Sequence, residues 1–258
     1  MQRESGSHIE PVGFVIVHLR EQFFAFLHDD VARGAGAVSS AGMIEEEVIV
    51  HSHIEDRFGL AVIGICRTAD VRRNSAAQAD DALILTKALG VGIYSAALKK
   101  GVLSPEGYAE MVASTTLLNR IGADLAKDPA VHAITDVTGF GLLGHALEMA
   151  RGSQLSVVVR ADELPLFADA AALARQGFVT GASDRNWMSY GEAVVLPPDL
   201  PAWRKQLLTD PQTSGGLLIA CAPDRANDIL QAVIEGGCPH ARRIGHVEAG
   251  AAVIRVEA

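Results

Sequence analysis

From residue 59 onward the chain alternates short apolar runs with longer amphipathic segments. Short apolar runs bounded by turn residues indicate buried strands, and apolar positions spaced three and four apart indicate helices. The predicted strands cover residues 59–65, 81–86, 131–134, 155–160, 216–221, 243–247 and 252–256. The predicted helices cover residues 93–100, 104–127, 139–151, 166–176, 201–208 and 224–234. This alternation predicts an α/β fold of the α+β type, in which helices pack on a mixed sheet.

Two stretches carry more specific local predictions. Ser104 followed by Pro105 is a strong start signal, and we expect a helix from there to about Lys127. Residues 178–199 are rich in turn formers and predict a long loop, which would be either functional or mobile.

A candidate site lies where the strand at residues 131–134 gives way to the next helix. The strand is followed by Asp136, and Gly139, Gly141 and Gly144 then open the helix. A carboxylate beside a helix N-terminus that contains glycines can hold a metal ion and phosphates. The alternative is that Asp136 only caps the helix, and the local pattern by itself favours that alternative.

Charge and hydropathy narrow the classes of partner. The net charge of −9 argues against nucleic acid or an anionic membrane as the main partner, although free nucleotides stay possible. Residues 12–27 are rich in apolar side chains, but His18, Arg20 and Glu21 interrupt them, so no membrane span is predicted there.

The chain contains three cysteines, Cys66, Cys221 and Cys238, with no metal-type spacing. Cys66 and Cys221 lie in apolar strands and are expected to be buried, whereas Cys238 lies in a Gly-Gly-Cys-Pro turn and is a candidate for exposure. The low cysteine content and the lack of a signal-peptide pattern predict a cytoplasmic protein.

Residues 135–141, Thr-Asp-Val-Thr-Gly-Phe-Gly, resemble the metal-binding motif of the selenophosphate synthetases, also called selenide, water dikinases. Further segments are similar to blocks of that family and follow its order: residues 74–77, 85–90, 103–106, 186–191 and 208–216. The resemblance runs from about residue 58 to the C-terminus. The motif at residues 135–141 together with Asp-Pro-Gln-Thr-Ser-Gly-Gly at residues 210–216 is a specific pair.

The resemblance implies a fold similar to the superfamily of aminoimidazole ribonucleotide synthetase. It implies ATP-dependent phosphoryl transfer, in which ATP, selenide and water give selenophosphate, AMP and phosphate, with Mg²⁺ as cofactor. It also implies a homodimer, provided that the N-terminal interface survives. Residues 1–58 would be an altered or truncated remnant of the ATP-binding domain. Residues 59–258 would form the C-terminal synthetase-like domain, with residues 59–100 as an interdomain strand region.

Carried over by position, Asp136 matches the magnesium ligand that comes late in the family's sequence. Gly139, Gly141, Ser214, Gly215 and Gly216 become candidate contacts for the nucleotide, phosphate or product. The family's catalytic cysteine or selenocysteine and its nearby lysine find no counterpart, so no catalytic residue is assigned.

Other residues in the matched blocks have simpler explanations. Asp210 is expected to fix a turn before a buried strand, although it could also contact a ligand. Lys87 could meet an anion at the end of a strand, but a surface lysine is the more common outcome. His145 is expected to be packed or on the surface rather than to act as a base.

Two functions therefore stay open. The first is selenophosphate synthesis by this chain. The second is a folded, non-catalytic remnant, or one half of a split enzyme, that binds a partner or ligand without turnover.

Overall fold

The computed structural model of the protein describes residues 12–18, 46–52, 58–67 and 71–257. By their contacts, residues 1–71 and residues 72–258 form two compact units. The predicted boundary between residues 58 and 59 falls inside the first unit, because the strand that begins at Phe58 pairs with strands before it.

The described part of the first unit is a three-stranded antiparallel sheet. Its strands are β1 (Val12–His18), β2 (Glu46–Ser52) and β3 (Phe58–Arg67), in the order β1-β3-β2. The predicted strand at residues 59–65 is therefore confirmed as β3, with β1 and β2 on either side of it.

The second unit is built on a seven-stranded mixed sheet, as predicted. Its strands are β4 (Ala82–Leu85), β5 (Val131–Asp136), β6 (Ser156–Arg160), β7 (Val194–Val195), β8 (Leu217–Cys221), β9 (Arg242–Glu248) and β10 (Ile254–Glu257). The order is β5-β8-β4-β9-β6-β10-β7, antiparallel from β5 to β6 and parallel from β6 to β7.

Eight α-helices accompany this sheet within residues 71–257. They are α1 (Val91–Lys99), α2 (Pro105–Thr116), α3 (Ile121–Leu125), α4 (Gly141–Ser153), α5 (Ala170–Arg175), α6 (Gly181–Tyr190), α7 (Ala202–Leu208) and α8 (Ala226–Glu235). None of these helices, in the part of the chain that is described, has both the length and the apolar character needed to cross a bilayer.

The core occupies both faces of the sheet, and β4 shows why. Leu83 and Leu85 pack with α4 on one face, and Ala82 and Ile84 pack with α8 on the other. Successive strand side chains point to opposite faces, so a central strand must be apolar at every position. A third apolar cluster joins α1, α2 and α5 beside the sheet.

The long helix predicted from Ser104 is confirmed at its start and wrong at its end. The Ser104 hydroxyl accepts a hydrogen bond from the Gly107 amide at 3.0 Å and caps α2. The helix stops at Thr116, because Leu117 turns to an extended backbone, and α3 begins as a separate short helix at Ile121.

The long loop predicted at residues 178–199 is also wrong, because α6 occupies its first half. Thr180 caps this helix by accepting a bond from the amide of Ser183 at 3.4 Å. The buried residues of α6 are Ser183, Asn186 and Tyr190, at helical spacing but with polar atoms. The helices were predicted from apolar periodicity. Because α6 buries residues with polar atoms, its sequence shows no such periodicity.

Candidate functional site

Asp136 ends β5, opposite Leu217 at the start of β8. Its side chain is exposed, and its carboxylate forms no hydrogen bond or ion pair with any residue that the structure describes. The capping alternative is wrong, since the residue before α4 is Phe140 and no side chain caps this helix. Asp136 is thus a carboxylate without a structural partner among the described residues.

The two matched motifs lie against each other. The Val137 amide donates to the Gly216 carbonyl at 2.8 Å, and the Gln212 amide donates to the Thr138 carbonyl at 3.0 Å. Gly141 has a positive φ of 69°, and a Cβ built there would lie 2.7 Å from the Thr209 carbonyl carbon. Close backbone contact therefore needs glycine at this position.

The segment of Ser214, Gly215 and Gly216 enters β8 beside Asp136. Ser214 is half-buried at a positive φ of 49°, and its hydroxyl makes no hydrogen bond to another described residue. Gly215 is buried, and its carbonyl accepts from the Asn119 side chain at 2.9 Å. Gly216 packs on Lys87, whose backbone nitrogen would lie 2.5 Å from an added Cβ.

The predicted contact residues thus fall into two groups. Gly139 is exposed with open space around it, and Ser214 offers a hydroxyl without a bond to the described residues. Gly141, Gly215 and Gly216 are held in place by contacts with the protein's own backbone. The first group is available to a ligand, and the second shapes the loops that present it.

Helix α6 supports this site, and sequence reasoning missed it. The Asn186 side-chain amide donates to the carbonyls of Gly139 at 2.9 Å and Thr209 at 3.0 Å. The Tyr190 hydroxyl donates to the Phe140 carbonyl at 2.7 Å. The signal that could have found α6 is the Thr180 cap followed by these polar residues at helical spacing.

His145 is buried within α4, as expected for a packed histidine. Its Nε2 lies 3.1 Å from the Thr138 hydroxyl, and its Nδ1 lies 3.1 Å from a carboxylate oxygen of Glu148. With both ring nitrogens engaged, His145 holds the loop after β5 rather than facing a ligand.

Lys87 is not a surface lysine, so that expectation is wrong. Its side chain is buried, and Nζ donates to the carbonyls of Leu117 at 2.6 Å, Ser214 at 2.8 Å and Ser114 at 3.2 Å. Burial lowers the pKa of this ammonium group. Lys87 therefore ties the end of α2 to the Ser214 loop.

The expectation that Cys238 is exposed is wrong as well. Cys238 is 2 % exposed and packs in the cluster under α8. Burial raises the pKa of its thiol, while the nearby Lys87 charge and a hydrogen bond with Thr86 act in the opposite direction. A buried thiol with a raised pKa is a poor nucleophile, which fits a packing role.

Asp210 does more than fix a local turn. It is buried, and its Oδ2 accepts from the amides of Gly92 at 2.9 Å and Ile93 at 3.4 Å, and from the Gln212 side chain at 3.0 Å. Its Oδ1 is buried without a hydrogen-bond partner. Burial raises the pKa of Asp210 to about 7, against the opposing effect of these hydrogen bonds.

A pH dependence of stability follows from Asp210. The folded state holds the proton more tightly than the unfolded chain, whose carboxyl pKa is near 3.8. The stabilisation is complete below that value and is lost as the pH rises through about 7. We therefore expect Asp210→Asn to flatten the fall in unfolding free energy between about pH 4 and pH 7, measured by urea titration.

The control is Asp224→Asn, at an exposed carboxylate on the surface. It should retain the parent's pH dependence. A parent and Asp210→Asn that differ by the same free energy at every pH would contradict the assigned protonation.

The metal-binding capacity of the described residues is small. Within residues 71–257, no group of three or more histidine, cysteine, aspartate or glutamate side chains could hold a metal ion. Asp136 alone offers an open carboxylate at the site. Magnesium is commonly held by one or two carboxylates plus phosphate oxygens and water, so Asp136 fits as one ligand among several.

The family model of AIR synthase related proteins, C-terminal domain, matches residues 78–257. These residues are more than half of the chain, and the chain belongs to this family. Within it, the chain is similar to selenide, water dikinases. The one from Rhizobium meliloti (strain 1021) is 62% identical over 203 residues, or 79% of this chain and 58% of that protein. The one from Burkholderia pseudomallei (strain K96243) is 54% identical over 203 residues, or 79% of this chain and 57% of that protein.

The chain spans a little under three fifths of the length of these curated relatives. Among solved structures, the hydrogenase maturation protein HypE in complex with ATP has a TM-score of 0.54 and 20% identity. The match covers 78% of this chain and 55% of that one. This likeness shows that the fold is shared and confirms the predicted α/β architecture.

Proposed function

We propose that this chain acts in selenophosphate synthesis, as a selenide, water dikinase that uses ATP, selenide and water. The identity to relatives of that name supports the proposal. The observation that carries it is the free carboxylate of Asp136, which lies beside two glycine-containing segments whose backbones pack against each other. Phosphoryl transfer depends on positioning and on neutralising phosphate charge, and this arrangement suits both needs.

Each site residue has a proposed part. Asp136 supplies one oxygen ligand to Mg²⁺, which would neutralise phosphate charge, with phosphate oxygens and water completing the shell. Gly139 lets a phosphate approach the backbone closely, and the Ser214 hydroxyl donates to a phosphate or product oxygen. Gly215 and Gly216 are proposed to place Ser214 and to offer backbone contacts to the same ligand.

Gly141 is proposed to hold the turn into α4 so that the exposed Gly139 faces the nucleotide. No catalytic nucleophile or base is proposed among the described residues. Two identical chains are proposed to associate, and the cytoplasm is the proposed location.

The second candidate is a chain that binds nucleotide without turnover, or that needs another chain for catalysis. The observation that favours it is that Asp136 is the one open carboxylate at the described site. In the family, further metal ligands are expected from the N-terminal domain.

Turnover separates the two candidates. The purified chain would be incubated with ATP, Mg²⁺ and selenide under anaerobic conditions, and AMP and selenophosphate would be followed by phosphorus NMR. We expect both products in equal amounts. A folded protein that forms neither would overturn the first candidate and favour the second.

The Asp136 role has its own test. We expect Asp136→Asn to weaken Mg²⁺-dependent ATP binding about tenfold or more in titration calorimetry, because an amide oxygen is a poorer magnesium ligand than a carboxylate. The exposed position predicts an unchanged unfolding free energy. Asp224→Asn is the matched control and should bind as the parent does. Equal binding by parent and Asp136→Asn would remove Asp136 from the metal site.

A further inference from the structure

A second site is suggested by an open groove at the start of β9. The groove has a volume of about 570 Å³ and is bordered by Arg242 and Arg243, with His240 beside them. Leu230 of α8 contributes part of its apolar wall. The volume is within the range of small-molecule sites, and the lining is mainly polar, with Leu230 among its apolar residues.

The two arginines of this groove have no partners for their charges. Neither guanidinium forms a hydrogen bond or ion pair with any residue that the structure describes. The Nε of Arg243 is also buried without a hydrogen-bond partner. A buried donor left without a partner costs free energy, and an oxyanion in the groove would supply acceptor oxygens for the guanidinium.

Asp162 and Glu163 also line the groove. The Asp162 carboxylate is paired with Arg204 at 2.5 Å, so its charge is largely compensated. Glu163 has no such pair among the described residues. The unpaired guanidinium of Arg243 therefore sets the sign of the ligand, and Glu163 weakens its binding.

The groove is separate from the Asp136 site but lies at the same end of the sheet. Arg242 pairs with Leu85 of β4, and β8 lies between β4 and β5. Three strand spacings place the start of β9 about 14 Å from the end of β5. One small ligand would not cover both places.

We propose that this groove binds a small organic anion, in which a phosphate or carboxylate meets Arg243 and an apolar body rests against Leu230. Arg243 pairs with Ile84, whose side chain packs in the cluster with α8, so Arg243 and Leu230 lie on the same face of the sheet. Arg242 precedes Arg243 in the strand and points to the other face. The planar guanidinium group of Arg243 matches the paired oxygens of either anion. This site is independent of the proposed function, because it uses none of the residues assigned to nucleotide or metal.

The test uses phenyl phosphate and benzoate as the two anionic probes, with benzyl alcohol as the neutral probe of similar shape. Each would be titrated into the full chain and followed by amide shifts in two-dimensional NMR. We expect saturable shifts at Ala241, Ile244 and Leu230 with an anionic probe and none with benzyl alcohol. The probe that binds more tightly identifies phosphate or carboxylate as the preferred group.

Variants then assign the contacts. We expect Arg243→Gln to weaken binding about tenfold, Arg242→Gln to weaken it less than threefold, and Glu163→Gln to strengthen it about threefold. Arg225→Gln is the control, since Arg225 pairs with Asp128 and Asp228 outside the groove. If Arg243→Gln is unstable, Arg243→Lys keeps the charge and removes the paired donors, and we expect it to weaken binding about threefold.

Two results would overturn the proposal. One is the absence of saturable shifts in the groove with either anion up to about 10 mM, a concentration that would reveal even weak binding. The other is binding by Arg243→Gln, or by Arg243→Lys if the glutamine variant does not fold, that equals binding by the parent.

Discussion

Replacing Lys87 by methionine is expected to lower the free energy of unfolding by about 3 kcal/mol. The methionine would fill similar space but leave the carbonyls of Ser114, Leu117 and Ser214 without their shared donor. Removing a buried ammonium recovers some desolvation free energy, but three partly buried acceptors left without a partner cost more. Urea unfolding followed by circular dichroism measures the difference.

Lys100→Met is the matched control, because Lys100 is exposed at the end of α1. It should change stability by less than about 0.5 kcal/mol. If Lys87→Met were as stable as the parent, the desolvation of the ammonium would balance its three hydrogen bonds. Lys87 would then matter for the position of the Ser214 loop and not for stability.

Gly215→Ala is expected to destabilise the protein by about 3 kcal/mol or more. A Cβ at Gly215 would overlap the carbonyl oxygen of Val137 and lie 2.8 Å from the Cβ of Gln212. The first of these contacts is with backbone, so the strand end of β5 and the entry to β8 would have to separate. Thermal unfolding by calorimetry measures the loss.

Gly139→Ala makes the same chemical change in open space. No heavy atom lies within 4 Å of a Cβ built there, and its stability should stay within about 0.5 kcal/mol of the parent. Equal stability of Gly215→Ala and Gly139→Ala would show that the loop can open without cost. The packed arrangement of the two motifs would then not be required for folding.

Much of the fold could be predicted from local pattern. β4 and β8 are short apolar runs, and central strands with both faces buried must have that composition. The start of α2 was predicted from Ser104 and Pro105, because a capping bond joins residues three apart in the chain. The candidate site followed from Asp136 and the glycines beside it, read together with the resemblance to a family.

The parts that could not be predicted involve polar groups. Helix α6 buries Ser183, Asn186 and Tyr190, so its inward face carries no apolar stripe. Asp210 reads locally as a turn residue, yet its partners Gly92 and Ile93 begin another helix, more than a hundred residues earlier in the sequence. Hydrogen-bond partners at such separations leave no mark on local periodicity.

The sequence by itself determined the class of fold, the order of most strands and helices, and the two motifs that mark the site. Apolar periodicity and capping act over a few residues, so they can be read directly from neighbouring positions. The tertiary structure alone decided that Lys87 is buried. Its three acceptors lie 27, 30 and 127 residues away, and only the folded chain brings them together. The tertiary structure also decided that the Asp136 carboxylate is open. The segments around it are held by backbone hydrogen bonds to each other, and no described residue bonds to the carboxylate.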